Sequence, residues 1–147
     1  MLDHGTGPLK YLVIAFVLVV LFQYLNEETK IDTESVANRD PWFEQHIYQD
    51  PGPVLLKFGA EWCPPCRSLD ASLTEVAPTF GSRVKLVRVD VGENPDLAGA
   101  FGVRGIPHSF ILVQGKVVDQ RRGGMDTESL KKWLAEVSEK SYEPANR

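Results

Sequence analysis

The most continuous apolar run in the chain is Leu9 to Leu25, LKYLVIAFVLVVLFQYL, with Lys10 near one end and the aromatic residues Tyr11, Phe22 and Tyr24 near its edges. At about seventeen residues it sits at the short end of what crosses a bilayer, and edge aromatics with a snorkelling lysine suit a membrane interface. A removed signal peptide is the competing reading. Against it, the exit Phe22-Gln23-Tyr24-Leu25-Asn26 offers no small-x-small cleavage site, and Ser35-Val36-Ala37 lies far from the run. The pattern predicts a retained transmembrane anchor over 9–25, after a short tail over 1–8.

Beyond it the periodicity changes. Residues 26–39 are polar and charged and read as a tether. Asp40-Pro41 looks like an N-cap with proline at the first helical position, and the helix it starts carries Trp42, Phe43, Ile47 and Tyr48. Val54 to Phe58 reads as a short buried strand, and Leu69, Leu73, Val76 and Phe80 then recur at helical spacing, with Pro78 and Gly81 placed to close that helix. Val84 to Asp90 alternates as a second strand. Asn94-Pro95 starts a short helix through Phe101, stopped at Gly102. Ser109 to Val113 and Lys116 to Arg122 are strands joined by a tight turn at Gln114-Gly115. Asp126 or Thr127 caps a last helix that aligns Leu130, Trp133, Leu134 and Val137 on one face, with Glu128 and Lys132 paired on the charged side. The order α, β, α, β, α, β, β, α predicts a mixed sheet covered by helices over 40–140, followed by a flexible tail over 141–147.

Composition narrows this little. The 147 residues are 43% hydrophobic with a net charge of −4, which leaves room for one domain of roughly 100 residues plus an appendage. The acidic balance argues against nucleic-acid binding. Lys10 on one side of the apolar run faces Lys30 and Arg39 on the other, a count that decides little about orientation. The short leading tail and Glu27-Glu28 at the exit fit a single-pass protein whose folded domain lies on the extracytoplasmic, periplasmic side.

The candidate chemistry is in Gly59-Ala60-Glu61-Trp62-Cys63-Pro64-Pro65-Cys66-Arg67, where a strand ends and a helix begins. A cysteine at a helix N-terminus meets unpaired N–H groups and the positive end of the helix dipole, both of which favour thiolate. Cys63 is so placed and is the candidate nucleophile. Cys66 is positioned to attack a mixed disulfide on Cys63 and release the substrate. The alternatives are half a zinc site or a structural disulfide, but zinc needs about four ligands. There is no third cysteine, and His4, His46 and His108 are scattered. No metal or cofactor is expected, because the electrons stay on sulfur.

Trp62-Cys63-Pro64-Pro65-Cys66 resembles the active-site motif of the thioredoxin superfamily. The likeness extends through Phe58-Gly59-Ala60-Glu61, Asn94-Pro95, Gly102-Val103-Arg104-Gly105-Ile106-Pro107, Gly115 and Gly123, and covers roughly 40 to 140. It implies the thioredoxin fold, a central mixed sheet flanked by helices. It also implies a cis Pro107 lying against the cysteines, an Ile106 backbone that pairs with the substrate chain, and a Trp62 that shields the pair and contacts substrate.

Two departures from the family pattern bear on tuning. Pro64-Pro65 replaces the usual Gly-Pro, as in tryparedoxins and nucleoredoxin, and removes two N–H donors, which taken alone raises the thiol pKa. Lys57 stands six residues before Cys63, where the family usually has a buried aspartate. It either lies buried as a cation that lowers the thiol pKa, with Arg88 on a neighbouring strand approaching it, or snorkels to solvent. Glu61 or a water is then the candidate base for Cys66. His108 reads as a locally satisfied side chain.

The chain is thus expected to be a membrane-anchored thiol-disulfide oxidoreductase that reduces exported or envelope proteins. Its expected partners are disulfide-containing substrates, a membrane or soluble thiol electron donor, and lipid around the anchor. A disulfide-donating oxidase or isomerase, and a membrane-tethered binding or assembly factor, are the alternatives.

Overall fold

The computed structural model describes residues 7–25, 31–81 and 83–141; side chains are described for these except 7–9, 22–25, 140 and 141. The expectations for the tail over 1–6, for 26–30 of the tether and for 142–147 lie outside the described residues. The chain divides into two units, Met1–Lys30 and Ile31–Arg147.

The first unit holds helix α1, Gly7–Leu25. The large apolar side chains from Leu12 to Leu21 stand exposed along it. Among the described residues no helix is long and apolar enough to cross a membrane, so the span expected over 9–25 is not met there. The 19 residues of α1 make about 28 Å of helix, at the short end for a hydrocarbon core of about 30 Å.

The second unit begins inside the segment read as a tether. Asp32 caps helix α2, Thr33–Ala37, by accepting from the Ser35 N–H at 3.0 Å, and Val36 and Ala37 enter the core. Helix α3, Pro41–Phe43, starts as its sequence predicts: Asp40 Oδ1 accepts from the N–H groups of Trp42 and Phe43, each at 3.0 Å, a cap worth about 1 kcal/mol. It continues as a π-helical turn over Glu44–Tyr48. Together they bury Phe43 and Ile47 and leave Trp42 exposed, stacked on His46.

The sheet has four strands in the order β2-β1-β3-β4. They are β1 (Val54–Gly59), β2 (Lys85–Asp90), β3 (His108–Val113) and β4 (Lys116–Arg122). β1 runs parallel to β2 and antiparallel to β3, and β3 is antiparallel to β4. Helix α4 (Pro64–Phe80) follows β1, α5 (Pro95–Ala100) follows β2 and α6 (Thr127–Ser141) follows β4. Strand alternation divides the core in two. Leu56, Phe58, Phe110 and Leu112 face Phe43, Ile47, Leu97 and Phe101, while Leu55 and Ile111 face Leu69, Leu73, Leu130 and Trp133. β1 is buried on both faces, which is why it reads as an apolar run.

The turn between β3 and β4 is tight, as expected, and both its residues have positive φ, 50° at Gln114 and 74° at Gly115. Two local expectations are corrected. Pro78 lies inside α4 rather than ending it, because Val76 and Phe80 dock into one core and carry the helix on to its cap at Gly81. In α6, Glu128 pairs at 2.9 Å with Lys131 rather than Lys132; both spacings bring side chains together on a helix.

Candidate active site

The end of β1 delivers the chain to the cysteines. Cys63 is the N-cap of α4, with extended backbone. Pro64 and Pro65 fill the first two helical positions, so the first N–H of the helix is that of Cys66. It donates to Cys63 Sγ at 3.3 Å. The double proline thus leaves one backbone donor aimed at the sulfur. Cys63 and Cys66 are joined as a disulfide with Cα atoms 5.2 Å apart, and both are buried, at 4% and 1% exposure. Among the described residues no cluster of three or more metal-ligating side chains occurs.

A second loop closes on the pair. The Ile106–Pro107 bond is cis, as the resemblance implied, and the Ile106 carbonyl oxygen lies 3.8 Å from Cys63 Sγ. The Pro107 carbonyl accepts from the Gly123 N–H at 2.8 Å, where Gly123 takes φ 87°. The loop after β4 therefore holds the proline loop against the cysteines. Trp62 stands 74% exposed, so its indole offers a contact surface at the rim more than a lid.

Behind the cysteines lies Lys57. Its side chain is only 5% exposed and Nζ donates to Asp70 Oδ2 at 2.6 Å, so it does not snorkel to solvent. The other carboxylate oxygen of Asp70 accepts from Arg88 Nε at 2.9 Å, and Arg88 is the β2 residue in register with Lys57. Burial pushes the Asp70 carboxyl up, but hydrogen bonds and charge from Lys57 and Arg88 outweigh it and hold the pKa below the ordinary value of 3.8. Gly59 leaves the space between: a Cβ there would sit 3.1 Å from Lys57 Nζ and 3.4 Å from Cys66 Sγ. Asp70 was missed from sequence, although it follows Cys66 by four residues and so shares its helix face. Glu61 is exposed; its backbone carbonyl accepts from Arg67 Nη1 at 2.8 Å.

His108 lies on the opposite face of the sheet, buried against Phe110. Its Nε2 pairs with Gln120 Oε1 at 2.9 Å, while Nδ1 is buried with no hydrogen-bond partner among the described residues. It is therefore only half satisfied. Burial lowers its pKa below 6.5; the bond to Gln120 opposes this and the nearby charge of Arg122 adds to it.

Comparison with known proteins agrees with this geometry. The thioredoxin family model matches residues 33–136. The thioredoxin of Rhodospirillum rubrum is 35% identical over 95 residues, 65% of this chain and 91% of the relative. That of Pseudomonas aeruginosa is 34% identical over 69% of this chain and 95% of its own length. That of Haemophilus influenzae is 35% identical over the same shares.

Proposed function

The chain belongs to the thioredoxin family and is a thioredoxin-like disulfide oxidoreductase with a redox-active cysteine pair; from that premise we propose that it is anchored in a membrane and reduces the disulfides of exported or envelope proteins. The observation that carries the chemistry is Cys63 at the start of α4 with the Cys66 N–H aimed at its sulfur. Reduced, Cys63 attacks a client disulfide and forms a mixed disulfide. Cys66 then attacks Cys63 Sγ, the internal disulfide forms and the client thiol leaves. A thiol donor, in the membrane or in solution, returns the pair to the dithiol. Ile106 and Pro107 form one wall of the client site and Trp62 its rim.

The anchor is argued from the apolar run 9–25 and from the exposed side chains between Leu12 and Leu21 on α1, a patch that calls for an apolar cover. Lipid is the cover that suits the edge aromatics. The active-site domain then lies on the extracytoplasmic side.

One observation favours disulfide donation as a second reading. The Lys57 ammonium, which borders the same space over Gly59 as the Cys66 sulfur, favours the reduced pair, as an oxidant requires.

A Cys66→Ser variant of the full chain distinguishes these. If the reading holds, it accumulates mixed disulfides between Cys63 and exported proteins in the membrane fraction. Wild-type membranes would then show those clients reduced. Absence of trapped clients, or clients that are oxidised only when the wild-type chain is present, would overturn it.

A further inference from the structure

Six residues before Cys63, where the family resemblance leads one to expect a buried aspartate, this chain has a cation, and the structure provides that cation with partners. Lys57 lies on the α4 face of β1, in register with Arg88 on β2 and Ser109 on β3. Asp70 comes from α4, one turn beyond Cys66. Each Asp70 oxygen is taken, one by Lys57 and one by Arg88. The carboxylate is thus committed, and the three charged groups sum to one net positive charge. Asp90, in register with Gly59, uses Oδ1 to accept from the N–H groups of Gly92 and Glu93. The space over Gly59 is bordered at once by the Lys57 ammonium and the Cys66 sulfur.

We infer that Lys57 is a positioning residue acting through Cys66: its ammonium, held by Asp70 and Arg88, stabilises the Cys66 thiolate that resolves the mixed disulfide. This rests on the exchange chemistry proposed above and identifies what takes the place of the missing base. Lys57 Nζ is engaged by the Asp70 carboxylate and is not the group that takes the Cys66 proton. The Cys66 proton passes to water before the attack; burial of Cys66 opposes ionisation, and the nearby cation offsets that cost. The Cys66 thiolate then attacks Cys63 Sγ. The Cys63–Cys66 bond forms as the bond from Cys63 to the client sulfur breaks; the client leaves with the electron pair and takes a proton from water. The pair is oxidised by two electrons and the client disulfide is reduced by two.

Lys57→Met tests this in the full chain. The change orphans no buried charge, since Asp70 keeps Arg88. With Cys63 replaced by serine, Cys66 is the only thiol and its ionisation can be followed directly by thiolate absorbance. Lys57→Met is expected to move that titration alkaline by about one unit or more, about tenfold in thiolate at a fixed pH below the midpoint. Single-turnover release of an aromatic thiol from Cys63, with Cys66 intact, should slow about tenfold near neutral pH and recover at higher pH with the same displacement. If Lys57→Met does not fold, Gly59→Ala decides by the same criterion, because its methyl intrudes between ammonium and sulfur without changing any charge. An unmoved Cys66 titration would overturn the inference and leave Lys57 a packing residue. A displaced titration in a chain whose wild type reduces no protein disulfide would instead defeat the function proposed above and leave the electrostatic role standing.

Discussion

Removing either partner of the Lys57–Asp70 pair deletes the same 2.6 Å ion pair, yet the two deletions should differ widely in stability. Asp70→Ala leaves the Lys57 ammonium, 5% exposed, without its carboxylate. Stranding a buried charge costs about 3–5 kcal/mol. Asp70 is itself 35% exposed, so water can follow into its place, and the lower end, about 3 kcal/mol, is expected. Arg88 loses the same partner but is half in solvent, which adds at most about 1 kcal/mol. Lys57→Met removes the cation and fills its volume with an apolar side chain, while Asp70 keeps Arg88 at 2.9 Å. That exchange should be neutral or stabilising. The double variant should lie within about 1 kcal/mol of Lys57→Met alone, because with the ammonium gone Asp70 has only a surface pair to lose. Urea unfolding of the oxidised chain reads this directly: about 3 kcal/mol corresponds to roughly 1–3 M in midpoint, or about 12–24 °C in melting temperature for a domain near 100 residues. Equal losses in the two single variants, or a loss below about 1 kcal/mol for Asp70→Ala, would refute the assignment of Lys57 as a buried cation dependent on Asp70.

Other consequences can be checked separately. Burial holds His108 below 6.5 in the folded chain, so the unfolded chain takes up the proton first; stability should be full above about pH 6.5 and fall as pH drops below it toward the folded-state value. His108→Leu should flatten that slope in denaturant titrations between about pH 5 and 7, and a slope that survives the substitution would contradict the argument. Gly115→Ala should cost about 2–4 kcal/mol by thermal unfolding, since φ is 74° and the new Cβ would fall 2.6 Å from the Tyr48 ring; left-handed strain and displacement of the ring both contribute. A loss below about 1 kcal/mol would show that the turn relaxes.

Much of the folded unit was readable because its elements carry their own signals. The Asp40 cap, the apolar β1, the 69/73/76/80 stripe of α4 and the Gln114-Gly115 turn are local patterns, and each forms at or within a residue or two of its expected place. Helix α2 escaped notice because Val36 and Ala37 are its only buried apolar residues, too few for a periodic signal inside a polar segment. The cysteine pair was visible from its motif and from its place between a strand and a helix. What lay behind it was not. Lys57 stood out as a charge inside an apolar strand, but its fate depended on Asp70, 13 residues away on an element whose rotation against the sheet is set by tertiary packing. The half-satisfied state of His108 likewise depends on where Gln120 falls across the hairpin, which contains a register irregularity at Ile111 and Leu112.

The most direct test of the central claim is the equilibrium of the Cys63/Cys66 pair in the full chain against a glutathione or dithiothreitol redox buffer, read by thiol trapping. A reversible two-electron transition at a potential below about −200 mV is predicted for a reductant of protein disulfides. A pair that does not cycle reversibly, or one poised near −120 mV at the oxidising end of the scale, would contradict it.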